Sequence, residues 1–278
     1  MVTIKKKENG AIIEYMDVDK SHIVLTTKNL SVGYTSKKET HEVFKNINVK
    51  LKKGQLVGLV GRNGIGKSTL LRTLSKMQSR LKGDILLENQ NIDTYSRNDL
   101  AKIISLVLTE RIPASNLTVY ELIALGRQPY TNWIGKLLKE DLKHIKDSLE
   151  QSHLSELAQQ RCDKLSDGQL QRAMICRALA QNTDVIILDE PTAHLDVQHK
   201  IETFRLLKKI AHQLNKAILI STHEIQLATQ MADELWLMTD QEIISGKPSE
   251  LIDSDQINLI FDSNSIFFDK ESKQFIMK

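Results

Sequence analysis

Two short runs constrain this chain more than anything else in its 278 residues: "DVIILDE", starting at Asp184, and "AILIST", starting at Ala217. Both are almost uniformly apolar, so neither suits a sheet with one face in water. Runs of this kind belong to parallel strands covered on both faces. Between them, "VQHKIETFRLLKKIAHQLN" carries Val197, Ile201, Phe204, Ile210 and Leu214 as the apolar stripe of an amphipathic helix. Strand, helix, strand in that order predicts a parallel α/β core, because parallel neighbours need a crossover and a helix supplies it.

The remaining chain sorts around that core. From about Ile23 to Leu59, short apolar pieces ("IVLTTKNLSVGY", "VFKNINVKL") alternate with turn residues and predict an antiparallel sheet. "GQLVGLVG" reads as a strand entering a glycine turn, "KSTLLRTLSKM" has helical spacing at Leu71, Leu74 and Met77, and "KIISLVL" reads as another buried strand. From about Thr118 to Ala158 the pattern is helical. Val119, Leu122 and Ile123 group together there, and Leu142, Ile145 and Leu149 share a stripe. The expected domain covers residues 23–251 with a helical subdomain at about 110–180. Residues 1–22 form an N-terminal extension, and the tail over 252–278 holds "SIFFD" and "QFIM", which suit a small hairpin.

Composition narrows the function classes. With 41% hydrophobic and 26% charged residues the chain can bury a full core. The net charge of +3 is scattered apart from "KKK" at Lys5, and aromatics make up 5%, which argues against a nucleic-acid partner. Cys162 and Cys176 match no metal-ligand spacing and read as free thiols of a reducing compartment. No apolar run approaches the roughly 20 residues that span a bilayer. "AII" at Ala11 is too short for the core of a signal peptide. The chain is not expected to cross a membrane by itself.

The strongest chemical signal is "GRNGIGKST", Gly61 to Thr69. Glycine, four residues, then Gly-Lys-Ser/Thr, following a strand and opening a helix, is the phosphate-loop pattern. Glycines let backbone N–H groups turn inward around phosphate oxygens where a Cβ would collide. Gly61, Arg62, Asn63, Gly64, Ile65, Gly66, Lys67, Ser68 and Thr69 are therefore the expected nucleotide cradle. Lys67 would reach the β- and γ-phosphates and the Ser68 hydroxyl would take Mg²⁺. "VIILDEPT" delivers Asp189 to the same Mg²⁺ from a neighbouring strand, and Glu190 could polarise an attacking water. His223, ending the next apolar run, could hold that water and Glu190 in line. "LSDGQLQRAMICRALAQ" from Leu165 opens a further helix, with Ser166 as N-cap and an anion-attracting end. Asp167 already places a carboxylate there.

Phosphate loop, then "LSDGQLQR", "LDEPTAHLD" and "THE", in that order, resemble the ATP-binding subunit of ABC transporters over nearly the whole span from about Ile23 to Leu251. The resemblance implies a P-loop NTPase (RecA-like) α/β fold: a mainly parallel core sheet, an N-terminal antiparallel β-subdomain and an inserted α-helical subdomain. It implies ATP and Mg²⁺ as cofactors, with Lys67, Glu190 and His223 catalytic. Tyr34 would stack on adenine. A second copy would complete a head-to-tail sandwich of two ATP molecules, with Ser166, Gly168 and Gln169 facing the γ-phosphate held by the other copy and Asp196 at the seam. Two positions depart from the family pattern. Asp167 stands where the family has glycine, and its side chain is expected to turn sideways. Thr109 stands at the position of a family glutamine, so Glu110 is the candidate Mg²⁺ ligand there.

"TVYELIALGRQPYTNW" is similar to the corresponding region of ATPases that serve uptake of iron–siderophores, haem and cobalamin. That resemblance implies a peripheral ATPase on the cytoplasmic side of the membrane, working with a separate polytopic permease and, indirectly, a substrate-binding protein. The segment near Thr118 to Ala158 would receive the permease. The alternatives are a soluble ABC ATPase, as in metal-cluster assembly, and the ATPase of a two-component exporter.

Overall fold

The computed structural model describes residues 22–36, 39–108, 116–261, 266–270, 272 and 274–277. In chain order it runs β1 (Ile23–Thr35), β2 (Thr40–Ile47), β3 (Lys50–Lys52), β4 (Leu56–Gly61), α1 (Lys67–Leu74), β5 (Lys82–Leu87), β6 (Gln90–Asn91), α2 (Arg97–Ala101) and β7 (Ile104–Val107). Three helices follow: α3 (Val119–Ala124), α4 (Lys139–Gln151) and α5 (Asp167–Ala180). Then come β8 (Val185–Asp189), α6 (Val197–Gln213), β9 (Ala217–Ser221), α7 (Ile225–Met231), β10 (Glu234–Met238), β11 (Ile243–Gly246) and α8 (Pro248–Asp253). β12 (Ile266–Asp269) and β13 (Gln274–Met277) pair antiparallel at the C-terminal end.

The fold is of the α/β class. Its core sheet has strand order β11-β10-β4-β9-β8-β7, parallel throughout except for β11 on one edge. β8 and β9 are buried at every position, as almost uniformly apolar strands covered on both faces should be: Ile186, Leu188, Ile218 and Ile220 pack with α5 and α6, and Val185, Ile187, Ala217 and Leu219 with α1 and the antiparallel sheet. Each such Val, Leu or Ile gains about 1.5–3 kcal/mol over an exposed position. A second sheet, β2-β1-β5-β6 with β3 against β1, is antiparallel and lies N-terminal in the chain. The expected antiparallel stretch therefore ends before Leu59, because β4 pairs parallel with β9 and β10.

Three apolar residues leave the faces their spacing predicts. α1 stops at Leu74, and Lys76 turns into the left-handed region (φ 57°), so Met77 lies beyond the helix and is exposed. Val197 is the first residue of α6 and faces water, whereas Phe204, Leu207 and Ile210 carry the packing. Leu142 is exposed while Ile145 and Leu149 are buried.

Beside Leu142 the helical layer holds a polar feature. Arg127 and Asp141 are both buried, with Nε donating to Oδ1 at 2.9 Å. Asp141 Oδ2 accepts from the N–H of Leu138 (2.8 Å), and Arg127 Nη1 donates to the carbonyl of Ala180 (2.8 Å) at the end of α5. Tyr130 stacks over the guanidinium at 3.9 Å. The pair thus fixes the start of α4 against the end of α5. Val119, Leu122, Ile123 and Ile145 pack with Ala173, Met174 and Ala178 of α5 in one cluster.

Candidate active site

β4 ends at Gly61, and the chain turns through residues 62–66 into α1. Two of the glycines are required by different constraints. A Cβ on Gly61 would lie 2.6 Å from the carbonyl oxygen of Met238 on the paired strand. Gly66 caps α1 at φ 113°, where a Cβ would lie 2.5 Å from Val43 Cγ1. The first turn of α1 carries no acidic residue, so its free N–H groups and partial positive charge stay available to an anion.

Lys67 is buried and folds back over the loop, donating from Nζ to the carbonyls of Gly61 (2.8 Å) and Arg62 (2.9 Å). Burial pushes its pKa down, and the Glu190 and Asp189 carboxylates pull against that shift. Arg62 pairs with Asp240, Ile65 donates its N–H to the Arg62 carbonyl (3.5 Å), and Asn63 and Gly64 are exposed at the turn.

Ser68 Oγ donates to Asp189 Oδ1 at 3.1 Å. The two strands expected to be neighbours are not: β9 lies between β4 and β8. Its last residue, Ser221, pairs in register with Asp189 and donates from Oγ to the same Oδ1 at 2.7 Å. Ser221 was not among the expected site residues. The available signal was the parallel register of two apolar runs, which puts their last residues side by side. A hydroxyl and a carboxylate in contact, placed at a phosphate cradle, form the hard oxygen donor set that suits Mg²⁺ held partly by phosphates. Among the described residues no group of three or more His, Cys, Asp or Glu is gathered into an all-protein metal cage.

Glu190 follows Asp189 with φ 48°, a left-handed conformation that costs a non-glycine residue on the order of 1 kcal/mol. Its N–H donates to Ser221 Oγ at 2.9 Å, which holds the kink. Consecutive acids consequently go to different partners: Asp189 to Ser68 and Ser221, and Glu190 to His223, whose Nε2 is 2.5 Å from Glu190 Oε1.

Tyr34 on β1 reaches the same loop. Its hydroxyl lies 2.8 Å from Thr69 Oγ1, while the ring is half exposed. Tethered at its hydroxyl with its ring open to solvent, Tyr34 is placed where a planar ring could rest on it.

The remaining expected residues lie at the starts of α5 and α6. Ser166 caps α5: its Oγ accepts from Gln169 N–H (3.2 Å), and Gln169 Oε1 accepts from Ser166 N–H (3.0 Å). Asp167 is exposed. Asp196 caps α6 by accepting the His199 N–H at Oδ1 (2.9 Å), which holds its carboxyl below the ordinary value; the His199 ring adds to this. The His199 ring also covers Gly168. Thr109 and Glu110 lie outside the described residues.

The profile of the family described as "ABC transporter" matches residues 44–193. The uncharacterized ABC transporter ATP-binding protein MJ0873 of Methanocaldococcus jannaschii is 37% identical over 256 residues, covering 92% of this chain and 87% of the relative. YusV of Bacillus subtilis, an ATP-binding protein assigned to siderophore transport, is 35% identical, with 86% of each chain covered. Among solved structures, an ABC transporter assigned to the metal-chelate type, in an inward-facing conformation, superposes with a TM-score of 0.76 at 26% identity, covering 92% of this chain and 97% of the other. The dimeric ABC transporter cassette MJ0796 superposes with a TM-score of 0.68 at 28% identity, covering 81% and 98%.

Proposed function

The chain belongs to the ABC transporter family as an ATP-binding protein and is an ATPase, and from that premise we propose that it drives uptake of a metal–siderophore chelate through a separate membrane permease. The observation that carries the chemistry is the meeting, at one end of the core sheet, of the β4 loop, Asp189 and Glu190 after β8, and His223 after β9. The siderophore class rests on the relative assigned to siderophore transport and on the metal-chelate-type structure.

In this reading the backbone N–H groups of residues 61–69 and the Lys67 ammonium bind the phosphates of ATP. The N-terminus of α1 adds its partial positive charge. Tyr34 supports adenine. Ser68 and Asp189 would hold Mg²⁺, which when bound neutralises phosphate charge and orients the phosphoryl oxygens. Glu190 accepts a proton from the attacking water, and His223 fixes the Glu190 carboxylate through its Nε2 contact. Ser166, Gly168 and Gln169 at the start of α5, with Asp196 at the start of α6, would serve the nucleotide of a second copy. The dimeric cassette supports such an assembly.

The helical segment is the proposed seat of the permease. A groove of about 560 Å³ lies between α2, residues 125–129 and the end of α5, with Arg97, Leu125, Pro129 and Arg177 on its walls. Beyond it Trp133 and Ile134 are exposed. Arg177 is half-buried and burial lowers its pKa, so a carboxylate brought by a partner would compensate it. Among the described residues no helix is long and apolar enough to cross a membrane.

Tagging the chain in its native host, solubilising membranes gently and identifying what co-purifies tests the proposal. A stoichiometric polytopic membrane protein is the expected result, and a binding protein attached to it would identify the chelate. Recovery with soluble partners alone would overturn the transport reading and leave a soluble ABC ATPase.

A further inference from the structure

The N-terminus of α5 and the Asp196 turn are remote in sequence, yet one side chain joins them. The imidazole of His199 occupies the space a side chain on Gly168 would need: a Cβ built there would lie 2.5 Å from His199 Cδ2 and 2.9 Å from Cγ. On its other side the ring is fixed, with Nδ1 2.8 Å from both Asp196 Oδ1 and Oδ2, while the His199 N–H donates to Oδ1 at 2.9 Å. Asp196 thus holds a ring whose other face rests on Gly168. Ser166 and Gln169 spend their polar groups on each other in the α5 cap.

We propose that His199 is a positioning residue that sets the α5 N-terminus and the Asp196 turn as one rigid edge for docking onto the nucleotide of a second copy. This rests on the proposed head-to-tail assembly and adds the part that makes its docking edge a single body. It also gives Gly168 a reason to be glycine that is internal to one chain, since an alanine would strike the imidazole. Farther along the same helices Arg172 Nη2 donates to Glu202 Oε2 at 2.9 Å, so α5 and α6 keep a second tie when the ring is removed. Loss of His199 should therefore loosen the edge without separating the helices.

The test uses the full chain with Glu190→Gln to hold ATP without turnover, and reads ATP-dependent self-association by sedimentation velocity with Mg²⁺ present. Nucleotide affinity of the dilute monomer is read with a fluorescent ATP analogue. His199→Ala should weaken dimerisation by about tenfold, a coupling within the range of contacting residues, with monomer affinity within about twofold. His199→Asn keeps a donor near Nδ1 but removes the ring from Gly168 and should recover only part of the loss. Gly168→Ala should weaken dimerisation, and adding His199→Ala to it should restore association by relieving the collision. If the Glu190→Gln chain itself stays monomeric with ATP, the assembly reading fails. If it dimerises and His199→Ala dimerises equally well, or the double variant is simply additive, the role of His199 is overturned.

Discussion

His223 Nε2 lies 2.5 Å from Glu190 Oε1, although the two residues are 33 positions apart and follow different strands. The contact exists because β8 and β9 are adjacent and in register, so both strand ends open at the same edge of the sheet. A carboxylate held this way can take a proton from water without first being ordered. Glu190→Gln keeps the size of the side chain but cannot accept that proton. Its steady-state ATP turnover should fall by about 10²–10⁴-fold, the usual worth of a general base, while nucleotide binding is retained. Turnover within tenfold of the parent would remove Glu190 from that role.

Asp167 calls for a different expectation. It is exposed, and the α5 cap is closed by Ser166 and Gln169 without it. A side chain that faces water contributes little to what the helix end presents. Asp167→Gly should therefore leave ATPase activity within about fivefold, on the order of 1 kcal/mol of barrier. A change beyond tenfold in either direction would mean that the carboxylate does face the phosphate.

Much of this site was legible in the sequence because the constraints that make it are local. The φ 113° of Gly66 and the crowding at Gly61 permit glycine alone, so "GRNGIGKST" carries its own geometry. The apolar runs "VIILD" and "AILIS" announce their burial in the same way. What sequence could not supply was contact between distant elements. Strand order is one case: β9 separates β4 from β8, so Ser221 of the intervening strand joins Ser68 on the Asp189 carboxylate. The His199 ring on Gly168 and the Arg127–Asp141 pair are others, since neither leaves a periodic or spacing signal. Leu142 shows the cost of periodicity alone: its stripe was drawn through apolar residues, while the buried position beside it is Asp141.

The two cysteines offer a chemical check on the core. Both are buried and free, and burial pushes the Cys176 thiol up to about 12, with the nearby Ser152 side chain only partly opposing it. Burial also raises Cys162, and Asp163 and Glu121 add to it. Thiolate is the reactive species, so neither residue should react with a thiol-specific reagent in the native chain at pH 8. Two thiols should appear on unfolding. Rapid labelling of Cys176 in the native chain would show that α5 is not packed as described.

The Arg127–Asp141 pair makes the sharpest prediction for stability. Removing one partner strands a buried charge, and Arg127→Met or Asp141→Asn should each cost about 3–5 kcal/mol. Replacing both by apolar residues of similar size should cost much less, because no uncompensated charge remains. The acid limb supplies an independent reading. Burial would raise the Asp141 pKa, but the Leu138 N–H and the Arg127 guanidinium outweigh it and hold the carboxyl below its ordinary 3.8. A depressed carboxylate contributes stability that is complete above the unfolded value and is lost as pH falls through the folded one, since there the unfolded chain binds the proton first. Denaturant midpoints measured from pH 7 down to pH 3 should therefore fall less steeply in the doubly apolar variant than in the parent, with the difference confined to the region below about pH 4. Parallel curves across that window would show that Asp141 keeps an ordinary pKa and that Arg127 does not hold it.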